Sequence, residues 1–105
     1  MKCDRNHYMV TRHAIVDQRQ VIYTAYELQK EDHDRYQIFK TRDIIDRLCA
    51  PRGNVAGVIH KATEAGLIKM VGKKGTIGLY TLTQDGLKRG AWYMEHYNII
   101  TGEIS

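Results

Sequence analysis

The side chains best suited to chemistry lie between positions 41 and 90, and most of them donate hydrogen bonds or carry positive charge. In the stretch from about Gly53 to Ala65, the apolar residues Val55, Val58, Ile59 and Ala62 recur with helical spacing. That spacing turns Gly53, Gly57, His60, Lys61 and Glu64 to the opposite face, with Asn54 at its flank. Asn54 and His60 can hydrogen-bond base edges, while Arg52 and Lys61 can contact guanine or phosphate. Arg42, Lys73 and Lys74 are placed for backbone phosphates, and the two lysines also for the adjacent minor groove. Gly57 costs about 1 kcal/mol of helix propensity relative to Ala, which is tolerable if the missing side chain lets the helix sit closer to DNA or to another helix. This is the chemistry of recognising a polyanion.

Other chemistries find less support. The nearest approach to a metal cluster is Cys3 and His7 with His13, which has neither a Cys-x-x-Cys pair nor two histidines one helical turn apart. There is no phosphate-cradling glycine loop, nucleophile elbow or convincing acid pair, so the sequence predicts neither an enzyme nor a cofactor. With no apolar stretch of signal-peptide type and no run long enough to cross a bilayer, the expected compartment is the reducing cytoplasm. Cys3 and Cys49 are then expected as free thiols, Cys49 as a small core residue.

These residues need a scaffold, and the pattern around them supplies one. Thr41 is suited to cap a short helix whose buried face is Ile44, Ile45 and Leu48, with Asp43 near the positive helix end. Pro51 and Gly53 interrupt the pattern, giving the turn of a helix-turn-helix over 41–65. The second helix runs from about Gly53 to Ala65, and Gly66 suits the left-handed position that closes it. Leu67 to Val71 and Thr76 to Leu82 predict two strands joined by Gly72-Lys73-Lys74-Gly75, a hairpin wing over 67–82. Upstream, Tyr36, Ile38 and Phe39 predict an edge strand or an extended lead-in.

The flanks predict helices. Over 11–30 the residues Ile15, Ile22, Ala25, Tyr26 and Leu28 fall on one broad face, with Asp17, Arg19 and Glu27 turned away. Thr83 caps a last helix over 83–97, with an apolar stripe of Leu87, Ala91 and Met94 beside Trp92 or Tyr93. Tyr23, Tyr26, Trp92, Tyr93 and Tyr97 suggest that the terminal helices bury one another, within a subunit or across a dimer. A chain of 105 residues, 43% hydrophobic, predicts one domain over 1–105.

Charge is concentrated where the donors are. The net charge is +4. Residues 38–90 hold Lys40, Arg42, Arg47, Arg52, Lys61, Lys69, Lys73, Lys74, Lys88 and Arg89 against Asp43, Asp46, Glu64 and Asp85. The first 37 residues are balanced, so the excess sits on the helix-turn-helix and hairpin, as expected for a polyanion partner. Arg47 either reaches phosphate or pairs with Asp43 on its own helix.

The helix-closing Ala65-Gly66-Leu67-Ile68 and the strand-to-helix Tyr80-Thr81-Leu82-Thr83-Gln84-Asp85-Gly86 resemble those of winged-helix transcription regulators, particularly the MarR-like and PadR-like groups. The resemblance covers about half the chain. It implies an α+β, mainly helical fold: a winged helix-turn-helix with a two-stranded β-hairpin wing and flanking N- and C-terminal helices. It also implies a homodimer, joined through terminal helices, that reads a pseudo-palindromic site. The expected function is sequence-specific binding of double-stranded DNA as a transcription regulator, with Arg42, Arg52, Asn54, Gly57, His60, Lys61, Lys73 and Lys74 at the interface. A winged-helix adaptor that binds protein is the alternative from another class, and a replication or plasmid-partition factor is a nearer variant.

Overall fold

The computed structural model describes residues 16–31, 37–48, 50–99 and 103–104. The first helix, α1 (Gln18–Glu31), starts seven residues later than its pattern predicts, because Asp17 and Gln20 form a reciprocal cap. The Gln20 backbone N–H donates to Asp17 Oδ1 at 3.0 Å, and the Asp17 N–H donates to Gln20 Oε1 at 3.1 Å. Positions 11–15, including Ile15, lie outside the described residues, as do Tyr36 and Cys49.

Val21, Ile22 and Ala25 of α1 are fully buried and form the centre of the core with Ile44, Ile45 and Leu48 of α2 (Thr41–Leu48) and Val55, Ile59 and Ala62 of α3 (Arg52–Glu64). At the start of α2, the Asp43 carboxylate reaches back to accept from the Lys40 N–H at 2.8 Å. Val58 is only half-buried, so the inward face of α3 is narrower than its apolar pattern suggests.

The end of α3 shows why Ala65-Gly66-Leu67-Ile68 is a recognisable unit. Gly66 has φ of +81°, the Leu67 N–H bonds to the Ala62 carbonyl at 2.9 Å, and the Gly66 N–H bonds to the Thr63 carbonyl at 3.1 Å. These two bonds make a Schellman closure, with Leu67 and Ala62 both buried beneath it. Thr83 ties the second motif to the first. Its hydroxyl donates to the Gly66 carbonyl at 2.6 Å and accepts from the Gly86 N–H at 3.1 Å, capping α4 (Gln84–His96), while its own N–H bonds to the Leu67 carbonyl.

The wing differs from its sequence pattern in register. Strand β1 (Ile68–Lys74) runs three residues beyond Val71 and pairs antiparallel with β2 (Ile77–Leu82), with a bulge between Met70 and Gly72. The loop is therefore Gly75-Thr76, with Gly75 at φ +64°, and Lys73 and Lys74 stand on the strand rather than at the tip. The lead-in is confirmed at Phe39, which exchanges both backbone hydrogen bonds with Tyr80 at 2.9 Å and stacks on its ring. Gln29 staples α1 to the wing base: its buried Oε1 accepts from the Leu82 N–H at 2.9 Å.

The buried residues of α4 are Gly86, Gly90 and Tyr93; of the predicted stripe, Leu87 packs half-buried against the core, Ala91 and Met94 are half-buried, and Trp92 is 46% exposed. A Cβ at Gly90 would sit 2.6 Å from Tyr26 Cβ, so the glycine allows α4 to lie directly on α1. Tyr97 then packs edge-on against Tyr23 and beside Tyr93. Most of the predicted aromatic interface thus joins the terminal helices within one chain. Tyr97 and Asn98 form β3 (Tyr97–Asn98), which pairs with β4 (Glu103–Ile104). No helix among the described residues is long and apolar enough to cross a membrane.

Candidate nucleic-acid interface

α3 presents an outer face with few obligations to the rest of the fold. Arg52, Gly53, Asn54, Ala56, Gly57, His60, Lys61 and Glu64 are all exposed, while Val55, Ile59 and Ala62 hold the helix from behind. His60 Nε2 lies 3.6 Å from Glu64 Oε2 one turn later, an exposed pairing that leaves the ring at the surface. A Cβ at Gly57 would meet no atom within 4 Å. Of the two close approaches that its sequence position suggested, contact with another helix of the same chain is therefore ruled out among the described residues.

Arg47 corrects both sequence expectations for it. It neither stands free for phosphate nor pairs with Asp43; it reaches across to α1, with Nη1 at 2.8 Å from Glu27 Oε1 and Nη2 at 2.9 Å from Glu31 Oε1. Its side chain is only 13% exposed. Glu27, expected to face away, is the partner that draws it in. The physical reason is helix packing: α2 crosses α1, so the nearest carboxylates belong to the neighbouring helix rather than to the preceding turn. Arg42 does remain at the surface, held among the described residues by a 3.8 Å approach to Asp46.

The first turns of α2 and α3 face the wing across a cleft of about 350 Å³. Lys40, Thr41, Arg42 and Arg52 form one side of it, and Thr76, Ile77, Gly78 and Tyr80 the other. Arg42 and Arg52 were marked by sequence; Lys40 and Tyr80 were not singled out for binding. The signal for Tyr80 was the alternation Gly78-x-Tyr80, which puts a bare residue and an aromatic on the same face of β2. Lys73 pairs with Gly78 and shares that face, whereas Lys74, paired with Ile77, lies on the other. The two lysines therefore serve different sides of the wing.

Cys3, His7 and His13 lie outside the described residues, and no group of three potential metal ligands occurs among the described ones.

No protein-family model and no curated protein sequence matches the chain. Solved structures do. A candidate DNA-binding protein from Ralstonia eutropha JMP134 aligns with a TM-score of 0.54 and 21% identity, over 72% of this chain and 94% of that one. A MarR family regulator from Neisseria meningitidis aligns with a TM-score of 0.55 and 22% identity, over 72% of this chain and 51% of that one. BpsR of Bordetella bronchiseptica, whose DNA binding is regulated by 6-hydroxynicotinic acid, gives 0.55 and 16%, over 81% and 64%. The fold is a winged helix-turn-helix. The chain spans between half and two-thirds of the length of the latter two proteins, and its helix order and two-stranded wing match the expected α+β, mainly helical architecture.

Proposed function

We propose that this chain is a sequence-specific double-stranded-DNA-binding transcription regulator that acts as a dimeric repressor in the cytoplasm, with residues 1–105 working as one winged-helix unit. The observation that carries this reading is the outer face of α3, where Arg52, Asn54, Gly57, His60 and Lys61 stand exposed beside a basic wing. Asn54, His60 and Lys61 are assigned to base edges in a major groove, Arg52 to a base or phosphate at the groove entrance, and Gly57 to close backbone approach. Arg42, Lys73 and Lys74 are assigned to the sugar-phosphate backbone. The excess positive charge of residues 38–90 and the likeness to DNA-binding winged-helix structures support the same reading.

The dimer is assigned to the terminal helices. Since Tyr23, Tyr26, Tyr93 and Tyr97 are spent within the chain, the contact falls to what they leave at the surface, chiefly Trp92 and Ile104. Fluorescence-anisotropy titration against a randomised duplex pool at two salt concentrations, followed by sequencing of the retained DNA, tests the proposal. A two-fold-related motif bound with salt-sensitive affinity is the expected result. Absence of binding at low salt would overturn it, and would turn attention to a protein partner for the exposed Met70, Val71 and Ile77 of the wing.

A further inference from the structure

The cleft between the helix-turn-helix and the wing contains a group that the interface described so far does not use. Tyr80 is anchored at its backbone by the paired bonds to Phe39 and at its ring by stacking on Phe39, 6.0 Å between centroids. From there the ring runs along β2 toward the wing tip and covers Gly78. A Cβ built at Gly78 would lie 2.8 Å from the Tyr80 hydroxyl and 3.0 Å from Cζ. The phenol can take this course only because position 78 has no side chain.

Tyr80 lines the cleft together with Lys40, Arg42, Arg52 and Gly78, and its hydroxyl lies beside Gly78 with no hydrogen-bond partner among the described residues. Both nearby carboxylates are engaged: Asp43 accepts from the Lys40 N–H, and Asp46 approaches Arg42. The Arg42 pairing is long and exposed, so an incoming anion can replace it.

We propose that one phosphodiester of the bound duplex sits in this cleft, held by Arg42 and Arg52 and by a hydrogen bond donated from the Tyr80 hydroxyl, with Gly78 as the positioning residue that keeps the phenol in place. The inference rests on the DNA-binding reading and adds to it a neutral donor and the residue that aims it. Cations draw a phosphate in but do not fix its orientation, whereas a hydroxyl on an anchored ring does. The seat would thereby set the angle between wing and recognition helix on the duplex.

The test uses the full-length protein and a duplex recovered from the pool selection, titrated by anisotropy between 50 and 200 mM salt, a range of roughly the kind over which phosphate contacts are read. Tyr80→Phe is expected to weaken binding about 3- to 10-fold on selected and random duplexes alike, with the salt slope unchanged because no charge is lost. Arg42→Ala is expected to lower the slope by about one. Gly78→Ala should weaken binding in the wild-type background and add little on top of Tyr80→Phe, since both act through the same hydroxyl; a thermal melt of each variant checks that it is folded.

Wild-type protein that binds no duplex would overturn the DNA reading itself. Wild-type binding with Tyr80→Phe indistinguishable from it would overturn this inference alone, as would Gly78→Ala and Tyr80→Phe effects that simply add. Inorganic phosphate at constant ionic strength should leave duplex binding unchanged. Competition at low millimolar phosphate would mark a seat for a free anion and overturn the assignment to the duplex.

Discussion

Replacing Gly57 by Ala should move stability and DNA affinity in opposite directions. Position 57 lies in the middle of α3, its φ is not among the positive ones, and a methyl group there would meet no protein atom within 4 Å. Nothing in the fold opposes the substitution, so the whole helix-propensity difference of about 0.8–1.0 kcal/mol should appear as added stability. For a chain of this size that raises the thermal midpoint by about 4–8 °C, measured by circular dichroism at fixed protein concentration so that self-association does not shift the result. The same methyl group projects from the face assigned to the major groove. If the backbone of α3 approaches base edges there, overpacking should weaken binding by about 1–2 kcal/mol, roughly 5- to 30-fold. A midpoint that fails to rise would refute the account of α3 as an unstrained helix with an open outer face. A midpoint that rises while affinity stays the same would leave the helix intact and remove Gly57 from the interface.

Arg47→Ala should destabilise the fold by about 1–3 kcal/mol, because it removes the charge-assisted hydrogen bonds to Glu27 and Glu31 that tie α2 to α1; a chemical denaturation midpoint within error of wild type would sink this. Single Lys73→Ala and Lys74→Ala variants should each weaken binding to all duplex sequences and together flatten the salt dependence, whereas Asn54→Ala should chiefly relax base preference; equal salt slopes for wild type and the double variant would take the wing off the DNA. Burial, with a smaller contribution from Asp17, pushes the Tyr97 phenol up to about 12. Because the folded state holds that proton more tightly than the unfolded chain, the associated stability is intact below about pH 10 and is lost as pH rises toward 12. Tyr97→Phe should remove that part of the alkaline loss, and melts across this range that superimpose on wild type would contradict it. Trp92 is the single tryptophan and is half exposed; its emission should shift with protein concentration if the dimer covers it, and a monomer by sizing at high micromolar concentration would rule the dimer out.

The helix-turn-helix was legible because its signals are local. Ile44, Ile45 and Leu48 repeat with helical period, Pro51 interrupts that pattern, and Gly66 closes α3 in a left-handed conformation that glycine adopts without a Cβ penalty. The wing's existence was legible for the same reason, but its register was not. A bulge at Val71 adds one unpaired residue to β1, and nothing in the residue types at 70–72 distinguishes it from a strand end. Arg47 was misread because its partners lie 16 and 20 residues away in sequence, on a helix whose crossing with α2 is a tertiary fact. On α4 the glycines of the inward face were missed for a related cause, although Leu87 and Tyr93 were legible: Gly86 and Gly90 carry no hydrophobic signal, yet they are buried because α4 lies too close to its neighbours for any side chain there.

The division of labour in the molecule follows from these contacts. Polar groups that fix one element on another include Arg47 between α2 and α1, Gln29 between α1 and β2, and Thr83 between the end of α3 and α4. None of them lies on the outward surface of α3. Among the described residues the exposed side chains of α3 pair at most with one another, as His60 does with Glu64, and a Cβ at Gly57 would meet no atom within 4 Å. Apart from Gly57, where helix propensity itself is at stake, residues on that face can therefore change with little effect on stability, while the angle at which the face is presented is set elsewhere. The consequence for mutagenesis is directional: substitutions at 54, 60 and 61 should alter which sequence is bound at nearly constant midpoint. Substitutions at 29, 47 and 83 should lower the midpoint and, by loosening α3 relative to the wing, weaken binding to every sequence together.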